Sequence, residues 1–189
     1  MKAVVQRVLT ASVSGTVLFL ASGWPADIAH DHLAVDNEVV SQISRGLMVL
    51  VGIGSDDTTS DIDVLTKKIL SLRLFPDNSD SMWKASVKDV HGEILCVSQF
   101  TLMANTSKGN KPDFHRAMSS DQSRTMYAWF LEKLGQAYDP TKIKDGKFGA
   151  MMNVTLTNEG PVTLTLDSRK FVYTDQKTAK VGEPTSSAS

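Results

Sequence analysis

Four side chains of different chemistry, Ser98, Gln99, Phe100 and Thr101, follow one another at the end of an apolar run, EILCVSQFT over 93–101. If the run is a strand, Ser98 and Phe100 face one side while Gln99 and Thr101 face the other. A hydroxyl at a strand end is a candidate nucleophile. It attacks only when a positioned base takes its proton, and no base adjoins these residues in sequence. The residues alone leave two readings open, an acyl-transfer site or hydroxyls bonded to the backbone. The other unusual stretch is Asn158-Glu159-Gly160-Pro161-Val162-Thr163. Gly-Pro between two apolar runs predicts a turn, and its edge offers two carbonyls with almost no side-chain cover. An X-Pro bond is cis in only about 5–6% of folded cases, and a retained one usually serves shape.

Cations, histidines and glycines supply weaker candidates. Lys108, Lys111 and Arg116 form a compact basic loop, and Lys142, Lys144 and Lys147 a second cluster. Either suits a phosphodiester contact or a solvated surface. His30 and His32, flanked by Asp27 and Asp31, have the spacing of a strand-borne metal pair, but no third ligand accompanies them, so an acidic loop is the expectation. His91 and His115 stand alone and read as surface residues. Gly52-Ile53-Gly54 occupies the place of a dinucleotide-binding turn, yet Asp57 stands at the third glycine position and Asp56-Asp57 would repel a pyrophosphate. These glycines are expected to end a strand. The lone Cys96 excludes an intrachain disulfide and argues against a thiolate zinc site. No metal or cofactor is expected.

The elements that must position these residues follow from periodicity. A chain of 189 residues with 41% hydrophobic content suits one domain with a sizeable core. Its formal net charge of −1 argues against coating nucleic acid or an anionic membrane by bulk charge. No apolar run approaches the ~20 residues of a membrane span. Residues 2–13 alternate as a strand rather than forming a leader peptide, which suggests a reducing, cytoplasmic setting in which Asn105 and Asn153 carry no glycans. Residues 15–39 read as an extended or inserted hairpin, and 46–53 as a buried strand. Ser60 and Asp63 suggest a helix start, with Ile62, Leu65, Ile69 and Leu72 on one face. Ser119 and Gln122 suggest a second, with Met126, Trp129, Phe130 and Leu134 buried. Two further strands, about 150–157 and 161–167, are expected across Asn158-Glu159-Gly160. The tail from Asp175 has the composition of disorder. The pattern predicts a mixed α/β domain over 1–168 with a C-terminal extension, 169–189.

Together, MKAVVQRVLTASV at the start, SVKDVHGEILCVSQFTL (86–102), KGNKPDF (108–114) and GKFGAMMNVTLTNEGPVTLTLDS (146–168) resemble D-aminoacyl-tRNA deacylases of the D-tyrosyl-tRNA deacylase type. The resemblance implies a homodimer with a layered β/β/α, barrel-like fold and two main helices. It implies hydrolysis of the ester between a D-amino acid, or achiral glycine, and the terminal adenosine of tRNA, with no role for DNA or membrane. Gly160 and Pro161, followed by Val162 and Thr163, would hold a cis bond and enter the partner subunit's pocket to exclude L side chains. Ser98, Gln99, Phe100 and Thr101 would line that pocket, with amides near Phe100 and Thr101 facing the ester carbonyl. Phe148, Gly149, Ala150 and Met152 would bind the substrate, Met152 beside the adenosine, and Lys108, Lys111 and Arg116 would meet the tRNA. Backbone donors and the ribose 2′-hydroxyl would then replace the missing base, leaving Thr101 a positioning role. A covalent Ser/Thr hydrolase and a catalytically dead tRNA-binding module are the alternatives. Residues 15–39 are longer than the family's usual hairpin, Met82-Trp83-Lys84-Ala85 departs from its pattern, and Glu159 stands where Asp is common.

Overall fold

The computed structural model describes residues 1–16, 37–107 and 109–169. Lys108, most of the 15–39 hairpin with His30 and His32, and the tail from Lys170 lie outside the described residues. The first strand, β1 (Lys2–Thr16), is the hub of the sheet. Along one edge it pairs antiparallel with β8 (Met152–Asp167) from Lys2 to Gly15. Its other edge is shared, with β3 (Gly46–Gly52) on residues 2–8 and β2 (Asn37–Ile43) on residues 11–16. From β3 the sheet continues in parallel through β6 (Glu93–Ser98) to β7 (Ile143–Asp145). The Ser41 hydroxyl of β2 donates to the Asp145 carbonyl of β7. The sheet is thereby bent into a nearly closed barrel. A small β4 (Arg73–Phe75) and β5 (Ala85–Ser86) hairpin stands beside it.

Both faces of the central strands are buried, which is why their sequences are continuously apolar. Leu47, Val49 and Val51 of β3 and Ile94 and Cys96 of β6 face the helices. The alternate residues Met48, Leu95 and Val97 fill the barrel interior with Val8, Ala11 and Val13 of β1. In β1 the inward parity changes from Ala3 and Val5 on the helix side to Ala11 and Val13 inside. An irregularity between Val8 and Thr10 shifts the pleat by one residue there.

Helix α1 (Thr59–Ser71) buries Ile62, Leu65 and Ile69, as its spacing predicts, whereas Leu72, the fourth residue of the predicted face, is the C-cap and half-buried. The capping box lies two residues before the predicted Ser60 and Asp63, because Thr58 is the N-cap and its amide donates to Asp61 Oδ2 at 2.8 Å. Helix α2 (Ser120–Ala137) is capped at Ser119 and buries Met126, Phe130 and Leu134. The predicted stripe is wrong at Trp129, which is 51% exposed. Three residues on from Met126, it falls on the edge of the apolar face, and Tyr127 takes the buried place. Among the described residues no helix is long and apolar enough to cross a membrane.

Two predicted strands at the end of the chain are one. Asn158 pairs with Val8 and Val162 with Arg7, so Glu159, Gly160 and Pro161 are an excursion within a continuous β8. The long β1 partner holds both sides in line, which local turn chemistry does not reveal.

Candidate active site

The run ending at Ser98-Gln99-Phe100-Thr101 does not stay a strand. Strand β6 stops at Ser98, opposite Val51, and Phe100–Met103 form a short 3-10 turn. The predicted alternation of Ser98 and Phe100 against Gln99 and Thr101 therefore does not apply. The turn is fixed from several sides. The Gln99 amide donates to the Val51 carbonyl at 2.7 Å, and the Leu102 amide to the Gln99 carbonyl at 3.2 Å. Gly52 permits this approach, since a Cβ on it would lie 2.8 Å from Leu102 Cβ and 3.1 Å from the Gln99 carbonyl oxygen. Gly52 thus ends a strand, as expected, but for the sake of the neighbouring turn. At the start of the turn the amides of Phe100 and Thr101 have no intrahelical acceptor. The Gln99 side-chain amide donates to Thr101 Oγ1 at 2.6 Å.

This turn forms one wall of a cavity of about 700 Å³. Ser98, Gln99 and Phe100 line it on one side, with Phe148, Gly149, Ala150 and Met152 opposite. The structure thus brings together two sequence segments fifty residues apart, both of which the family resemblance assigns to substrate binding. Thr101 is exposed at the edge and is not part of the wall. Met152 is anchored by the Lys147 amide, which donates to its sulfur at 3.2 Å. Phe148 meets Tyr127 at a centroid distance of 5.7 Å, and Phe100 meets Phe114 edge-on at 5.1 Å. The wall contributed by α2 includes Ser120 and Ser123.

None of the described residues lining the cavity is an acid, a histidine, a lysine, a cysteine or a tyrosine. The nearby titratable groups are buried behind it. Burial pushes the Cys96 thiol above its usual range, and does the same to the Tyr127 phenol and the Asp145 carboxyl. Tyr127 donates to Asp145 Oδ1 at 2.7 Å, so the two satisfy each other. His115 is exposed and paired with Asp113 on the loop outside. The arrangement can present backbone donors and apolar walls to a ligand, and it holds no side-chain base for Ser98.

Of the basic loop, Arg116 and Lys111 are exposed between cavity-lining Phe114 and Ala117 and the Asn105–Asp113 bridge that closes the loop. The Lys142, Lys144 and Lys147 cluster splits: Lys144 sits on the opposite side of the sheet, in a polar groove with Glu93.

Gly160, Pro161, Val162 and Thr163 are not brought to this cavity. Gly160 lies eight residues from Met152 along β8, on the order of 20 Å at the rise of a strand. The Gly160-Pro161 peptide is cis, and both residues are exposed while Val162 is buried. The excursion is held from beneath. Arg7, 4% exposed, donates from Nε to the Glu159 carbonyl at 3.1 Å and from Nη1 to the Leu74 carbonyl. Arg45 grips the Glu159 carboxylate with two hydrogen bonds, 2.9 and 3.1 Å, and both guanidiniums lie over the Phe75 ring. Sequence reading missed Arg7 and Arg45. An arginine in an apolar strand was the available signal at Arg7, since such a residue is buried only when paired.

The nearly closed α/β barrel with two helices is shared with solved structures. A solved structure titled c-Myc DNA Unwinding Element Binding Protein superposes with a TM-score of 0.76 at 47% identity, covering 88% of this chain and 98% of the other. One titled as a probable eukaryotic D-amino acid tRNA deacylase shares the fold at a TM-score of 0.66, with 16% identity over 88% of this chain and 98% of that one. The D-aminoacyl-tRNA deacylase of Drosophila melanogaster is 48% identical over 180 residues, 95% of this chain and 100% of the relative. That of Schizosaccharomyces pombe is 47% identical over 170 residues, 90% and 100%. The D-Tyr-tRNA(Tyr) deacylase family matches residues 4–167, and the chain belongs to that family. It is accordingly a hydrolase of the D-aminoacyl-tRNA deacylase kind.

Proposed function

We propose that the chain hydrolyses the ester joining a D-amino acid, or glycine, to the terminal adenosine of tRNA, and spares L-aminoacyl esters. The observation that carries this reading is the cavity between the Ser98–Thr101 turn and Phe148–Met152, which offers amides without an intrahelical acceptor and, among the described lining residues, no side-chain base. In the proposed mechanism the Phe100 and Thr101 amides receive the ester carbonyl oxygen and stabilise the charge that develops on it. Water attacks the carbonyl carbon, the ribose 2′-hydroxyl relays its proton to the departing 3′-oxygen, and the acyl C–O bond breaks to release the free amino acid and tRNA. Thr101, held by Gln99, orients the turn. Phe148, Gly149, Ala150 and Met152 flank the adenosine, and Lys108, Lys111 and Arg116 meet the RNA.

Selection is by exclusion. The exposed Gly160-Pro161 edge of one subunit enters the cavity of a second copy, where its carbonyls hold the substrate amino group and leave no room for an L side chain. Two facts support a contribution in trans: the edge is exposed, and it lies far from the cavity of its own chain. The test is subunit mixing. A variant with a damaged edge, Pro161→Ala, and one with a filled cavity, Ala150→Trp, each lose selective turnover of the D ester as homodimers. Random pairing of the two restores one working site in half of the dimers, about a quarter of wild-type activity. No recovery on mixing, with confirmed subunit exchange, overturns the trans arrangement.

A further inference from the structure

The cavity has a cation at its rim that the proposed mechanism does not use. Arg124 lies in the second turn of α2, directly after Ser123, which lines the cavity. Its guanidinium carbon sits 4.8 Å from the centroid of the Phe148 ring, itself a cavity wall. A Cβ built on Gly149, the next wall residue, would be 3.8 Å from Arg124 Nη2. Among the described residues no carboxylate comes within 4.0 Å of the guanidinium, although Asp121 stands one turn earlier on the same helix. The side chain is exposed, and its guanidinium lies over an aromatic ring of the cavity wall. Stacking of this kind pre-organises the planar fork and leaves its edge free for an oxyanion.

We propose that Arg124 receives the phosphodiester on the 5′ side of the terminal nucleoside, anchoring the single-stranded end of the substrate as the ester enters the cavity. The proposal rests on the deacylase reading, which puts a nucleoside between the Phe148–Met152 wall and the Ser98–Thr101 turn. A nucleoside seated there has its own phosphate at the mouth, and the wall that seats it is the one Arg124 stacks on. Arg116 and Lys111 lie on the loop that runs past Phe114 toward α2, and neither is among the described cations placed over an aromatic ring. Arg124 acts in this way as a binding and positioning residue and takes no part in bond breaking.

The experiment compares D-tyrosyl-tRNA with 2′(3′)-O-D-tyrosyl adenosine, which has the ester and nucleoside but no phosphate. In Arg124→Gln the kcat/KM on the tRNA ester falls about tenfold, mostly through KM, in line with loss of one charge-assisted hydrogen-bonded contact. The nucleoside ester is cleaved as by the wild type. The slope of log kcat/KM against log salt becomes shallower by roughly 0.7, one phosphate contact on a single strand, and Arg124→Lys recovers most of it. Equal losses on both substrates, or no loss on either, overturn the proposal. If the wild type cleaves neither ester, the deacylase reading itself falls. Equilibrium binding of uncharged tRNA then decides on Arg124: the same change of salt slope in Arg124→Gln supports the contact, and an unchanged slope removes it.

Discussion

Replacing Gly160 by Ala tests how the exposed edge of β8 is held. Gly160 has φ +120°, a conformation that L side chains rarely adopt. The added Cβ would lie 3.1 Å from Arg7 Nη2, 3.1 Å from Val162 Cγ2 and 3.3 Å from the Val162 amide nitrogen. None of these neighbours yields readily. The Arg7 guanidinium is pinned by the carbonyls of Glu159 and Leu74, and Val162 is buried in the β1 ladder. Gly109 separates the two contributions, because it also has a positive φ, +135°, but among the described residues nothing lies within 4 Å of its would-be Cβ. Backbone strain alone costs on the order of 1–3 kcal/mol at either position. Crowding at Gly160 adds about 1 kcal/mol or more. Gly160→Ala is therefore expected to unfold roughly 2–4 °C below Gly109→Ala in parallel thermal melts followed by circular dichroism. Activity on D-aminoacyl-tRNA falls, or L-aminoacyl-tRNA begins to be cleaved, in Gly160→Ala. Equal melting points for the two variants, with unchanged rate and selectivity in Gly160→Ala, would refute the reasoning.

Two further outcomes follow from burial and charge. Phe130→Ala, at a fully buried position, should cost about 3–5 kcal/mol, whereas Trp129→Gln should change the urea midpoint by less than about 1 kcal/mol equivalent; similar losses would mean that Trp129 is covered. Glu93 accepts hydrogen bonds from the amide and hydroxyl of Ser44, both at 2.8 Å. The Ser44 amide bond, opposed by partial burial and reinforced by the hydroxyl, holds its carboxyl below the usual range. A carboxylate with a lowered folded-state pKa contributes stability above its unfolded value, about 4.3, and loses it as the pH falls toward the folded one. Urea midpoints of Glu93→Gln should thus decline less than wild type between pH 5 and about pH 3. Parallel declines would show that Glu93 is not the group involved.

The parts of the fold readable from sequence are those whose signals are local. Apolar runs gave β3 and β6, and the i, i+4 spacing of Met126, Phe130 and Leu134 gave α2. What depended on a distant partner was harder to read. Ser98-Gln99-Phe100-Thr101 looked like the end of a strand because its apolar pattern continues. The turn forms because the Gln99 amide finds Val51, and Gly52 leaves room for Leu102. Glu159-Gly160-Pro161 looked like a hairpin turn because only the pairing of both flanks with β1 shows that the strand continues. The clamp of Arg7 and Arg45 on Glu159 joins residues more than a hundred positions apart, and no spacing rule anticipates it. Trp129 was misplaced because an aromatic at the boundary of an apolar stripe satisfies the pattern either way. The grouping of Ser98–Phe100 with Phe148–Met152 came from the family resemblance, and the folded chain brings these residues to one cavity.

The most direct measurement is a side-by-side deacylation of D-tyrosyl-, glycyl- and L-tyrosyl-tRNA by the purified chain, with spontaneous hydrolysis of each ester as the baseline. The account predicts rapid release from the D and glycyl esters and a baseline rate for the L ester. A D-tyrosyl ester that decays no faster with protein than without it, or an L ester cleared as fast as the D, would contradict it.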